Sequence, residues 1–200
     1  MTMSQLHPGR TARGASEGVL RLLFGLMLAV IAVALVLYSA KLFAVVMVVV
    51  ALFGAREWHR MVRKAVLRPA ADRAPLHVQT AVTGGAIALA TAALLLRQPV
   101  ASFAFLVVGA AAAYLVARRR DDNPSWHAIG VFYLGLPVLA LTGLRSFAGQ
   151  GAWVVLGLFL IVWATDTAAL VFGRLIGGPR LAPRRAPKKI WSGTIGGSLA

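Results

Sequence analysis

The chain of 200 residues is 59% hydrophobic and 14% charged, yet carries a formal net charge of +15. Soluble globular domains hold about a quarter charged residues, so that class is excluded. Such basicity would suggest nucleic acid in a soluble protein, but here the positive residues fall between long apolar runs, no nucleic-acid partner is expected, and the lack of cysteine excludes disulfides and Cys-bound metal.

Met1–Gly18 is polar, with glycine and proline, and is expected to be a disordered cytoplasmic N-terminus. Six apolar stretches follow: Val19–Leu37, Leu42–Ala55, Val78–Leu96, Val100–Ala117, Ala128–Leu144 and Ala152–Phe172. Crossing a bilayer core takes about 20 helical residues. The second stretch is short and gains length by starting near Ser39 and continuing past Arg56. The fifth contains Pro137, which predicts a kink or a break. The first is longer than a signal-peptide core, and Tyr38 suits the −3 cleavage position poorly, so it reads as a retained span. The expected fold class is all-α: a polytopic integral membrane protein of about six transmembrane helices plus the start of a seventh.

Eighteen of the 21 Lys and Arg residues lie in alternate polar segments. Arg10, Arg13 and Arg21 are at the start, and the second loop holds Arg56, Arg60, Arg63, Lys64, Arg68 and Arg73. Arg118–Arg120 form a third group, and Arg174, Arg180, Arg184, Arg185, Lys188 and Lys189 a fourth. The intervening loops hold only Lys41, Arg97 and Arg145. The positive-inside rule therefore predicts that the N-terminus and the basic C-terminal loop are cytoplasmic, in a multi-pass protein of the bacterial inner membrane.

Within this frame most polar residues have ordinary readings. Glu57 is placed to pair with Arg60 or Arg63 on a helix surface. Gly84, Gly85, Gly109 and Ala110–Ala113 allow helices to approach closely in lipid. The run Arg118–Asn123 fixes topology and meets anionic headgroups, with no catalytic role expected for Asp121 or Asp122. His7, His59, His77 and His127 lack metal-ligand spacing and read as interfacial or loop residues.

The chemistry concentrates in Trp163–Gly197. Asp166 lies within an apolar run, where a charge costs on the order of 2–3 kcal/mol, and such residues usually face the bundle interior and serve a site. It is the candidate ligand for a divalent metal. Leu181–Lys189 contains Pro183 and Pro187 and is expected to be an extended loop at the headgroup level, not a helix. Ser192 is placed to cap a last helix with Gly193 in its first turn, an N-terminus suited to phosphate. Gly196 and Gly197 permit close backbone approach, to a ligand or to another helix.

This stretch resembles the phosphatidate cytidylyltransferase family, whose run is like D-T-G-A-Y…G-x-x-x-G…L-A-P-x-x-S-P-K-K-T-W-E-G-x-x-G-G. The matching residues are Asp166-Thr167-Ala168-Ala169-Leu170, Gly173, Gly177, Leu181-Ala182-Pro183, Ala186-Pro187-Lys188-Lys189-Ile190-Trp191-Ser192-Gly193 and Gly196-Gly197. Departures are Ala168 for Gly, Leu170 for Tyr, Ala186 for Ser, Ile190 for Thr and Ser192 for Glu; two hydroxyls are lost at Ala186 and Ile190. Glu57-Trp58 and Gly130–Pro137 are similar to further family segments. The resemblance implies transfer of CMP from CTP to phosphatidate, giving CDP-diacylglycerol and pyrophosphate, with Mg²⁺ as the metal. Asp166, Lys188 and Lys189 take catalytic positions. Arg184, Arg185, Trp191, Ser192, Gly193, Gly196 and Gly197 are the candidate phosphate-binding set. Membrane lipids are expected partners, and a homodimer is left open. The family also carries a later acidic motif resembling K-R-x-x-K-D…P-G-H-G-G-x-x-D-R-x-D, which this sequence lacks, and the last apolar run, Gly193–Ala200, is too short to cross. The sequence is therefore expected to be the N-terminal part of a longer protein, inactive by itself. Competing readings are a CTP-dependent polyprenol or lipid kinase and a transporter using Asp166 as an ion site. A transporter commonly shows an internal repeat, which is not found here.

Overall fold

The computed structural model describes residues 9–64, 75–120, 122–182 and 186–199, with the backbone alone for the strand residues. Six long helices come first: α1 (Gly9–Tyr38), α2 (Ala40–Lys64), α3 (Leu76–Leu95), α4 (Pro99–Arg118), α5 (Pro124–Arg145) and α6 (Gly151–Leu175). A two-stranded ribbon, β1 (Arg180–Ala182) and β2 (Ala186–Ile190), leads to the short α7 (Trp191–Leu199). The fold is that of an all-α membrane protein. Among the described residues, α3, α4, α5 and α6 are long and apolar enough to cross a membrane, and Leu23–Tyr38 of α1 is a shorter apolar helix.

The apolar runs became helices because helices alone satisfy their own backbone groups in lipid. Pro99 and Pro124 open α4 and α5 from the first turn, where a missing N–H costs nothing. Three expectations are corrected or refined. The polar segment expected to be disordered is helical from Gly9, and residues 1–8 lie outside the described ones; after Pro8 no further proline interrupts it. Helix α5 runs through Pro137 unbroken, so of the kink or break expected there the break is excluded. Leu181–Lys189 is extended where it is described, as expected, and its backbone adds pairing to that: an antiparallel ribbon, with Arg180 paired to Ile190 and Ala182 to Ala186. Pro187 fits there because proline is tolerated in strands that have an edge.

The core lies among α2–α5. Ala51, Ala86, Ile87, Ala90, Leu106, Ala110, Ala113, Val131 and Val138 form one buried cluster. Small residues dominate it because lipid offers no hydrophobic drive between helices, so close van der Waals packing must supply the stability. At Gly109 an added Cβ would lie 2.2 Å from the Ala86 Cβ, so α3 and α4 meet where no side chain fits. A smaller cluster of Val36, Phe43 and Val155 joins α1, α2 and the N-terminal part of α6.

Side-chain contacts group the helix ends as the charge pattern predicts. The end of α2 meets the start of α5 through Trp58 Nε1, which donates to the Trp126 carbonyl at 2.9 Å. This brings the basic end of α2 and the start of α5 to one side of the bundle. Arg145, at the end of α5, donates to the Val36 carbonyl near the end of α1, on the opposite side. Arg60 pairs with Glu57 at 3.4 Å on the exposed face of α2, as expected.

The histidines depart from expectation. His77 is exposed and His7 lies outside the described residues, but His59 and His127 are fully buried. They sit on helices, face each other, and are joined by Asp122, also buried and not the surface charge that its run suggested. Helical spacing explains the reversal: His59 follows Ala55 and precedes Val62 on the face of α2 that enters the core.

Candidate functional site

The end of α6 and the start of α7 form the wall of one cleft. Helix α6 stops where Gly177 and Gly178 adopt φ values of +63° and +120°, a reversal that favours glycine. The ribbon is closed at its base by two bonds. Trp191 N–H donates to the Pro179 carbonyl at 3.2 Å, and the Ser192 hydroxyl donates to the Gly177 carbonyl at 2.6 Å. Ser192 thus ties α7 to the end of α6, where a cap within α7 was expected. The chain then turns back along α6. An added Cβ at Gly193 would lie 2.7 Å from the Ala169 carbonyl oxygen, and one at Gly197 3.0 Å from the Thr165 carbonyl oxygen. The glycines therefore serve the α6–α7 contact.

Between the two helices is a cleft of about 760 Å³, lined by Thr165, Asp166, Ala169, Leu170, Gly173, Arg174, Gly193, Thr194, Gly197 and Ser198. That is the size range of small-ligand sites. The lining holds one carboxylate, one guanidinium and three hydroxyl-bearing side chains, on an otherwise apolar and glycine wall.

Asp166 is exposed, which corrects the expectation that it faces the bundle interior. The buried residues of α6 are Gly151 and Val155, both in its N-terminal part. Its C-terminal half packs against α7, so Asp166 opens into the space between those two helices. Thr165 donates to the Ile161 carbonyl at 2.8 Å, so its hydroxyl is turned to its own helix. Among the described residues no hydrogen bond or ion pair reaches the Asp166 carboxylate.

Of the residues singled out from sequence, the cleft brings together Asp166, Gly193 and Gly197. Gly196 faces the Phe172 ring instead, where a Cβ would lie 2.4 Å from the ring's Cδ2. Trp191 is half exposed at the start of α7, outside the lining. Lys188 and Lys189 are on β2, with only their backbone described, and Arg184 and Arg185 lie outside the described residues. Arg174, Thr194 and Ser198 were not singled out. The signal for them was periodicity: Asp166, Ala169, Leu170, Gly173 and Arg174 recur at the spacing of one helix face.

A metal fits here only in part. Among the described residues no group of three or more His, Asp or Glu can hold an ion. Asp166 supplies one hard oxygen ligand, which suits a cation such as Mg²⁺ that takes its other oxygens from phosphates and water.

The sequence profile of the cytidylyltransferase family matches residues 19–200. The chain belongs to the cytidylyltransferase family. Curated relatives named phosphatidate cytidylyltransferase are similar to it. The protein of Brucella suis biovar 1 is 42% identical over 104 residues, covering 52% of this chain and 38% of the relative. That of Rickettsia felis is 36% identical over 72 residues, covering 36% of this chain and 31% of the relative. That of Staphylococcus saprophyticus is 39% identical over 71 residues, covering 36% of this chain and 26% of the relative. The match thus spans well under half the length of these relatives. No solved structure matches the chain.

Proposed function

We propose that this chain serves a phosphatidate cytidylyltransferase, which transfers CMP from CTP to phosphatidate and releases pyrophosphate. The observation that carries the reading is the α6–α7 cleft, where Asp166 and Arg174 lie opposite the glycine-opened first turns of α7. Membership of the family and the relatives' names support it. In the reaction a phosphatidate oxygen attacks the α-phosphorus of CTP and pyrophosphate leaves. Transfers of this kind depend on positioning and on neutralising phosphate charge.

The parts divide as follows. Free N–H groups and the positive dipole end of α7 face phosphate. Arg174, Lys188 and Lys189 add cations, with Arg184 and Arg185 behind them. Asp166 holds Mg²⁺, which when bound neutralises phosphate charge and polarises the phosphoryl group. The cleft lies at the level where lipid headgroup and cytosolic nucleotide can both reach, given an N-terminus and basic ribbon on the cytoplasmic side of a bacterial inner membrane.

The test is conversion of labelled CTP by membranes containing the protein, with phosphatidate or a polyprenol supplied as acceptor. Label recovered in CDP-diacylglycerol with phosphatidate alone is the expected result. Transfer of a single phosphate to the polyprenol would replace the reading with a lipid kinase.

A further inference from the structure

Away from the cleft, a second polar constellation is sealed inside the bundle. His59 on α2, Thr83 on α3, His127 on α5 and Asp122 in the turn before α5 are all fully buried. The two imidazoles lie 22° from parallel with centroids 4.9 Å apart. His59 Nδ1 and His127 Nδ1 are 2.7 Å apart. His59 Nε2 is 2.8 Å from the Thr83 hydroxyl oxygen, and His127 Nε2 is 3.5 Å from Asp122 Oδ2.

These contacts fix where the protons are. A carboxylate only accepts, so the nitrogen facing Asp122 carries the proton of His127. His127 Nδ1 is then a bare acceptor, and the 2.7 Å contact requires His59 to donate through Nδ1–H. His59 Nε2 is in turn bare and accepts from Thr83. The chain of contacts runs in one direction, with both rings neutral and in opposite tautomers, and its longest link is the 3.5 Å contact to Asp122.

We propose that Thr83, His59, His127 and Asp122 form a directional proton relay that accepts one proton without breaking and opens on the second, making the α2–α5 contact a pH-sensitive clasp. The first proton enters at His127. Its Nδ1–H then donates to His59 Nδ1, and His59 passes its own proton to Nε2, which donates to the Thr83 oxygen. On His127 one N–H bond forms, while on His59 the Nδ1–H bond breaks as the Nε2–H bond forms, so the pair gains one proton and the added charge rests against the Asp122 carboxylate. A second proton would set two Nδ1–H groups head to head between two cations, and no tautomer relieves that.

The surroundings match this role. From α2 the facing groups are His59 and Arg63, from α3 only the uncharged Thr83 and Gln79, from the turn Asp122, and from α5 His127. Gln79 donates through its amide nitrogen to the Ala113 carbonyl at 3.1 Å, which ties α4 into the same knot. Next to the pair, Trp58 stacks on Tyr133 with centroids 4.9 Å apart, so loosening α2 from α5 disturbs an aromatic contact as well.

Solid-state NMR of the ¹⁵N-histidine-labelled protein in lipid bilayers tests this directly. At neutral pH two rings should show opposite tautomers, one Nδ1–H and one Nε2–H, with a nitrogen–nitrogen coupling across the bridge that identifies them as partners. Thr83→Val should perturb only the Nδ1–H ring, which assigns it to His59. On acidification the coupling should survive uptake of one proton and vanish with the second. Two Nε2–H rings without coupling, or independent protonation of both near the ordinary histidine value of about 6.5, would overturn the relay. Since the wild-type spectrum alone decides between these outcomes, failure of a variant to fold leaves the test intact.

Discussion

At the scale of single residues, burial and helix-face spacing decide which polar groups carry consequences. Burial, and then the neighbouring His127, push the His59 pKa from 6.5 down to about 4. His59 lies after the apolar run of α2, between Glu57 and Arg60, on a helix that is not among those long and apolar enough to cross a membrane. A histidine neutral in the fold and protonated when unfolded contributes fully above 6.5, and that contribution is lost as pH falls towards 4. The melting temperature in detergent should therefore drop on acidification from pH 7 to pH 4, and His59→Phe should flatten that dependence; an equal slope in the variant would assign the effect elsewhere. None of this was visible in the sequence. His59 and His127 are 68 positions apart, and without the helix packing nothing marks them as partners. Asp122 was hidden for a different reason: it stands beside three arginines, and a charge run reads as solvated. Gly109 was legible, since a glycine beside four alanines in an apolar helix signals close packing. Gly109→Leu should destabilise the bundle by about 1–3 kcal/mol through overpacking against Ala86, measured as a lowered thermal midpoint.

Among the elements, the helices were legible because hydrophobic length is a direct consequence of bilayer thickness. The segment Arg180–Ile190 was only half legible: its prolines excluded a helix, but pairing of two short strands depends on register, which the sequence does not show. The contact of α6 with α7 has the clearest mechanical logic. Gly193, Gly196 and Gly197 lie where any side chain would meet Ala169, Phe172 or Thr165. Gly196→Val should wedge α7 off α6 and lower CTP conversion at least ten-fold while leaving the α2–α5 core intact. A variant with unchanged activity would show that the cleft tolerates separation of its walls. Gly85→Ala, where an added Cβ meets nothing within 4 Å, serves as the control.

For the whole molecule, the alternation of charge predicts one orientation. With no native cysteine, single cysteines report it cleanly. Cysteines at positions 120 and 178 should react with a membrane-impermeant thiol reagent only from the cytoplasmic side, and cysteines at 41 and 148 only from the other; the reverse labelling would invert the topology. The direction of Asp166 was the part the sequence misjudged, because the rule that a charge in a span turns to the bundle interior assumes that the span is surrounded. Among the described residues the C-terminal half of α6 is not: only α7 shares the cleft with it. One carboxylate is also a sparse complement for phosphoryl transfer, which leaves much of the charge neutralisation to the basic residues. The account stands or falls on Asp166. Membranes containing the protein with Asp166→Asn should lose CMP transfer from CTP to phosphatidate by about two orders of magnitude, the scale on which one electrostatic contact in a phosphoryl-transfer site acts, with abundance and thermal stability unchanged. Transfer within a few-fold of the unsubstituted protein would contradict the assignment of the α6–α7 cleft as the reaction site.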